Sequence, residues 1–288
     1  MKELSGKVAV ITGAGSGLGR ELALSCARRG MRLLLADVDE PGMAETVRLV
    51  EEASPGTETE VMRVDVSKLE QVEALAQRAR ERFGGAHLLF NNAGVSCGGP
   101  LWEHTAADWQ WVLGVNLNGV AWGIKAFVPL MLEQGEGHIV NTASAAGWVY
   151  APGSGIYNAS KAAVVAISET LYFDLKDVGA DNIGVTVLSP AYFPTAIVDA
   201  ERNRPPELAD TAPMTEARRL RNERVRYAVQ RGRISAAEIA EMTLEAVEKN
   251  QFYVFPHKKI KALIKAITSE KVRNLLKNDY SWASTPAF

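Results

Sequence analysis

Residues 7–19 read KVAVITGAGSGLG, from Lys7 to Gly19, and the rest of the chain can be placed around them. The run Lys7–Thr12 is short and β-branched, as a buried strand requires. Gly13, Gly15, Gly17 and Gly19 then punctuate the turn into a helical pattern over Leu18–Arg29. Glycine lets a backbone turn tightly and approach a bound group without a Cβ clash. The first N–H groups of the following helix face an anion, with the helix dipole assisting. A glycine-rich turn between a strand and a helix, early in a βαβ unit, is a dinucleotide-binding signal. Asp37 closes the next apolar run, Arg32–Ala36, 18 residues beyond Gly19. A carboxylate there is placed to hydrogen-bond adenosine ribose hydroxyls and to repel a 2'-phosphate. No basic residue stands at Ser16, Val38 or Asp39 to offset that repulsion. The expected cofactor is therefore NAD rather than NADP.

Strand and helix patterns continue in alternation. Helix is predicted over Pro41–Glu52, strand over Val61–Val66, and helix again after a capping box at Ser67-x-x-Glu70. His87–Asn91 reads as a fourth strand, and Thr105-x-x-Asp108 caps a long helix to Glu133. Strands at Gly137–Thr142, Ile183–Ser189 and Gln251–Phe255 flank a helix over Tyr157–Val178 and another opened by Ser235-x-x-Glu238. Strands buried on both faces and separated by helices predict a doubly wound parallel α/β sheet of seven strands in a single domain.

Composition sets the outer bounds. The 288 residues are 47% hydrophobic with a formal net charge of -2, so no global basic excess points to nucleic acid. The N-terminus enters a strand almost at once, leaving no room for a signal peptide, and no run approaches the roughly 18 apolar residues of a membrane span. Cys26 and Cys97 make no disulfide framework, and the four histidines show no metal-ligand spacing. A cytoplasmic, metal-free protein is expected.

The segment Asn141–Lys161, NTASAAGWVYAPGSGIYNASK, carries the chemistry. Tyr157 and Lys161 fall one turn apart on a helix, and Ser144 precedes Tyr157 by thirteen residues. A free phenol has a pKa of ~10, and a neighbouring ammonium pulls it toward working pH. Ser144 is then available to hydrogen-bond the substrate oxygen that the phenol protonates or deprotonates.

Taken in order, Gly13-x3-Gly17-x-Gly19, Asn91-Asn92-Ala93-Gly94, Asn116, Ser144, Tyr157-x3-Lys161 and Pro190…Thr195 resemble the short-chain dehydrogenase/reductase family, in its single-domain branch, over roughly residues 5–256. The resemblance implies a Rossmann fold and a catalytic set of Asn116, Ser144, Tyr157 and Lys161. In it Tyr157 is general acid/base and Ser144 orients the substrate oxygen. Lys161 lowers the tyrosine pKa and binds the nicotinamide ribose. Asn116 kinks its helix and holds a relay water. The resemblance also implies that Gly13, Ser16, Gly17, Leu18, Gly19, Asp37, Val38, Asp65, Val66, Asn92, Ala93, Gly94, Pro190, Phe193 and Thr195 hold the cofactor, with hydride given from the pro-S face. Two departures stand out: Ala191 follows Pro190 where glycine is usual, and Ala143 precedes Ser144 where serine is common.

Substrate identity rests on less regular segments. Trp148, Tyr150 and Tyr192, with Phe193 and Met214, predict an apolar pocket for a bulky or aromatic secondary alcohol or ketone, with no fixed cation for a carboxylate. A lid is expected over about residues 193–233, with its arginines Arg218–Arg233 read first as a solvated face and second as a phosphate or coenzyme-A site. Residues 1–256 are read as the catalytic domain and 257–288 as an amphipathic helical extension. That extension carries Ile260, Leu263, Ile264 and Ile267 at helical spacing, with seven Lys/Arg against two acids. Packing over the substrate cleft or a neighbouring subunit is its first reading, and peripheral membrane contact the second. Members of the family commonly pair through the helices matching Thr105–Glu133 and Tyr157–Val178, which implies a dimer or tetramer. The competing functions are an NADP-using carbonyl reductase, a non-catalytic dinucleotide-binding regulator and a membrane-associated scaffold.

Overall fold

In the computed structural model, which describes residues 1–277, seven strands form one parallel sheet: β1 Val8–Thr12, β2 Arg32–Asp37, β3 Thr59–Arg63, β4 Leu88–Asn91, β5 Gly137–Thr142, β6 Ile183–Leu188 and β7 Tyr253–Val254. The order across the sheet is β3-β2-β1-β4-β5-β6-β7. The helices are α1 Gly17–Arg28, α2 Glu40–Ala53, α3 Leu69–Phe83, α4 Ala106–Leu113, α5 Gly119–Gln134, α6 Gly155–Asp177, α7 Glu216–Gln230, α8 Ala236–Glu248 and α9 Lys258–Lys277.

Alternation along β1 shows why the sheet is covered on both sides. Ala9 and Ile11 pack with Leu22 and Cys26 of α1 and with Ile239 and Leu244 of α8. Val8 and Val10 pack the other way, with Leu75 of α3, Phe127 of α5 and Leu171 of α6. Both faces are therefore apolar, and the strand reads as one continuous hydrophobic run. The chain leaves β1 toward β2 and β3, then returns on its other side at β4. That reversal opens a crevice at the carboxyl ends of β1 and β4, where α/β sheets bind ligands.

Most element boundaries agree with the sequence reading. The expected capping box at Ser67 does not form: α3 begins after Lys68 without a side-chain cap. Asp65 instead accepts from the Ser67 N–H at 2.9 Å and turns the chain early, so β3 ends at Arg63 rather than Val66. The boxes at Thr105/Asp108 and Ser235/Glu238 are both made. The long helix is interrupted by a π-helical turn, Gly114–Asn118. Ala106–Gln134 is long and apolar enough to cross a membrane, with a mean hydropathy of 1.3. Val112, Val120, Phe127 and Met131 along it are buried in the core.

Candidate active site

The crevice is a cavity of about 890 Å³ that runs from the glycine turn to the segment between β6 and α7. Its floor is built by hydrogen bonds between the ends of β1 and β4. Thr12 Oγ1 donates to the Phe90 carbonyl at 3.1 Å and accepts from the Asn92 and Ala93 N–H groups at 3.0 and 3.1 Å. Gly13, at φ +68°, lies so close that a Cβ would stand 2.8 Å from Ala93 Cα. Only glycine fits that approach. Gly17, at φ +51°, packs beneath Thr195, where a Cβ would lie 2.9 Å from Thr195 Oγ1.

Asp37 sits at the end of β2 with Oδ2 accepting from the Gly15 N–H at 2.8 Å and Oδ1 from the Asp39 N–H at 3.0 Å. These bonds aim the carboxylate at the crevice, which it lines together with Val38, Asp65 and Val66. Gly13, Ser16, Leu18, Gly19, Asn92, Ala93, Gly94, Pro190, Phe193 and Thr195 also line it. The donor-rich turn, the two close-packed glycines and the carboxylate at the far end fit a dinucleotide.

Ser144, Tyr157 and Lys161 line the same cavity. Ser144 follows β5 and accepts from the Ala146 N–H at 3.1 Å. Tyr157 and Lys161 lie in the first two turns of α6. Lys161 is 2% exposed and donates to the Thr142 carbonyl at 2.7 Å. Its ammonium stands 5.7 Å from the centre of the Tyr157 ring. Burial pushes the tyrosine up to about 12, against the downward pull of its hydrogen bond with Ser144. Burial brings the lysine down to about 8. The expected lowering of the phenol by its cationic neighbour is thus corrected, because desolvation of the phenolate outweighs any such pull in this geometry.

Asn116 stands behind the cavity wall. The π turn directs its side chain inward, where Oδ1 accepts from the Val95 N–H at 2.8 Å. Its Nδ2 donates to the Val95 carbonyl at 2.9 Å and to Ser160 Oγ at 3.1 Å. Ser160 is buried in this internal network.

Three substrate expectations are corrected. Trp148 turns away from the crevice: its Nε1 donates to Ser189 Oγ at 3.1 Å, and its ring packs on Tyr253 and Phe255. Tyr150 is half exposed, with the Lys271 ammonium 4.1 Å from its ring centre. Val149, between them, points inward. Met214 is exposed and lies off the cavity lining, whereas Tyr192 and Phe193 are on it. Ile260 of α9 also closes on the cavity, and Ile264 sits with Trp148 in a separate shallow recess. The stretch 278–288 of the expected extension lies outside the described residues.

Sequence reasoning missed the residues that hold the segment 196–218 against α4. Asp108, completely buried, accepts from Arg204 Nη2 at 2.7 Å and lies 3.6 Å from Arg218 Nη2, while Asp210 takes Arg218 at 2.5 Å. The Arg204 guanidinium also stacks on Trp111, 4.8 Å from the ring centre. So Arg218 is 3% exposed and part of the structure, not of a solvated face. Burial pushes the Asp108 carboxyl up, but the Thr105 N–H and the two arginines outweigh it and hold the group below the usual carboxylate range. Arg221 lines the cavity too, rather than lying on a solvated face.

The comparisons with known proteins agree with this geometry. Residues 7–206 match the family model described as short chain dehydrogenase. This chain belongs to the short-chain dehydrogenase/reductase family. A short-chain dehydrogenase/reductase from Burkholderia phymatum, solved in complex with NAD, superposes with a TM-score of 0.94 at 46% identity, covering 100% of both chains. The CLA biosynthesis dehydrogenase/reductase of Lactiplantibacillus plantarum is 34% identical over 268 residues, 92% of each chain. LigO from Sphingobium sp. strain SYK-6, in its apo form, is 28% identical with a TM-score of 0.77, covering 96% of this chain and 92% of that one. The chain is thus an oxidoreductase of a nucleotide-binding family that acts on small molecules.

Proposed function

We propose that this protein interconverts a secondary alcohol and a ketone with NAD, and that Tyr157 is the general acid/base. The observation that carries the reading is the shared cavity: the glycine turn and Asp37 line one end, and Ser144, Tyr157 and Lys161 line the other. Bound nicotinamide supplies the hydride acceptor in oxidation and the donor in reduction. Gly13, Gly19 and the α1 N-terminus hold the pyrophosphate, Asp37 the adenosine ribose, and Pro190, Phe193 and Thr195 the carboxamide end. Ser144 Oγ hydrogen-bonds the substrate oxygen. Tyr157 Oη takes the carbinol proton in oxidation and returns it in reduction. Lys161 holds positive charge beneath the phenol, and Asn116 keeps the wall behind it rigid through Val95 and Ser160. The apolar inner lining, with Val149, Tyr192 and Phe193, suits a bulky substrate. Residues 1–256 act as the catalytic body, with α9 as a cover on the cavity. Self-association through α4–α5 and α6 is the expected assembly, with the exposed Ala159 and Ala166 allowing close approach.

NADP is the competing cofactor, favoured by Arg63 and Arg202 on the cavity lining; Arg202 Nη2 lies 3.4 Å from Ser16 Oγ. The Asp37 carboxylate supports NAD, since a charged hydrogen bond of about 1.5–3 kcal/mol is replaced by repulsion if a 2'-phosphate enters. In Asp37→Ser, kcat/KM with NAD falls about 10–100-fold and NADP use rises. A panel of secondary alcohols assayed with both cofactors measures this; a variant that keeps the wild-type preference would remove Asp37 from the reading.

A further inference from the structure

The lid helix α7 carries a series of arginines whose partners differ. Arg218 is taken by Asp210, Arg219 by Glu223 and Arg226 by Asp199. Arg221 faces the cavity and pairs with no acid among the described residues. Its Nε donates to the Gly153 carbonyl at 3.2 Å and its Nη2 to Ser154 Oγ. Both partners are neutral. Ser154 is also the residue that opens α6, the positive end of a 23-residue helix, which repels a cation. The backbone fixes the guanidinium there: α7 packs so closely that a Cβ on Gly153 would lie 2.9 Å from Arg221 Cδ. Of the other charged groups on the lining, Arg204 is neutralised by Asp108, Arg202 stands at Ser16, Lys161 is tied to the Thr142 carbonyl beside Tyr157, Arg63 is the register partner of Asp37, and Lys68 and Asp65 follow β3. Glu207 is exposed on the lid and makes no ion pair with Arg221.

A half-buried guanidinium held only by neutral oxygens on a cavity wall is electrostatically incomplete. A carboxylate or phosphate oxyanion completes it through short, charge-assisted hydrogen bonds. Tyr157 is three residues beyond Ser154, the N-cap of α6, so their backbones are on the order of 5 Å apart, and Arg221 and Tyr157 line the same cavity. We infer that the substrate is an anionic alcohol or ketone, an apolar body whose oxyanion binds Arg221 while its carbinol meets Ser144 and Tyr157. This replaces the expectation of a substrate without a carboxylate, and it rests on the proposed alcohol–ketone activity.

The test compares hydroxy acids of graded spacing with their methyl esters and with the matching phosphate monoesters, using NAD. Wild type prefers the acid, or the phosphate if that is the oxyanion selected, over the neutral ester by about 10–100-fold in kcat/KM, chiefly through KM. Arg221→Met removes the preference and leaves the ester rate within a few fold. Arg221→Lys restores part of it, and NADH binding measured on each variant reports an intact fold. Equal use of acid and ester by wild type, or equal loss on both in Arg221→Met with NADH binding retained, overturns the inference. If neutral alcohols turn over and anionic ones do not, this inference fails and the proposed activity stands. If no alcohol or ketone of any class turns over, the proposed activity itself fails.

Discussion

In Tyr157→Phe, alcohol oxidation falls by roughly 10²–10⁴-fold while NADH still binds, because the variant loses one oxygen and almost no volume. The size of the effect follows from the site chemistry. A carbinol proton needs an acceptor within hydrogen-bond reach, and burial holds the phenol near 12. At pH 7 the phenolate fraction is then only about 10⁻⁵, and it rises tenfold for each pH unit. Oxidation, which needs phenolate, therefore climbs with pH through the neutral range, whereas reduction, which needs phenol, stays flat. Lys161, at about 8, loses its charge on the same climb, and with it the support for a phenolate, so the oxidation profile bends downward above that value. Rate–pH profiles in both directions, with the phenylalanine variant alongside, measure these slopes. A variant that keeps its rate and its pH slope would place the proton exchange on another group.

How much of this could be read from the chain alone depends on whether the governing contacts are local. The β1 strand, the glycine turn and the α6 pair Tyr157/Lys161 are encoded within a few residues of themselves. Periodicity and turn chemistry therefore identified them, and the seven-stranded sheet followed from repeating the same pattern. Trp148 and Tyr150 were misplaced because a one-residue difference in a short 3-10 turn decides which side chain enters the cavity. Composition shows an aromatic cluster there but not its direction, and Val149 is the residue that points inward. The tyrosine pKa was misread for a related reason: spacing shows that a lysine is near, but not how much water both groups lose. Asp108 was legible only in its local role, as the fourth residue of the Thr105 capping box. Its partner Arg204 lies 96 residues away, and no nearby signal announces it.

Asp108→Asn is expected to release the lid from this distant tie and to destabilise the fold by about 3 kcal/mol, at the lower end of the cost of breaking a buried ion pair. The side chains of Arg204 and Arg218 are only 4% exposed, so each would carry a poorly compensated charge in low dielectric. The cost is not higher because Arg218 keeps Asp210 and Arg204 keeps the more exposed Glu201. The melting temperature falls by roughly 6 °C on that figure. Arg204 stacks on Trp111 at the cavity, so KM for the alcohol rises while NADH affinity, set at the glycine turn, changes little. The acid limb gives an independent reading. The Asp108 carboxyl is held below its ordinary range, so its contribution is complete above the unfolded pKa of ~3.9 and is lost as pH falls through the folded value. Wild type therefore sheds this stability only in acid, and the asparagine variant, already without it, shows a shallower loss there. Thermal melts at several pH values, paired with KM for alcohol and Kd for NADH, test both halves. A variant that melts with wild type and keeps its KM would mean that the lid is held by its apolar contacts instead.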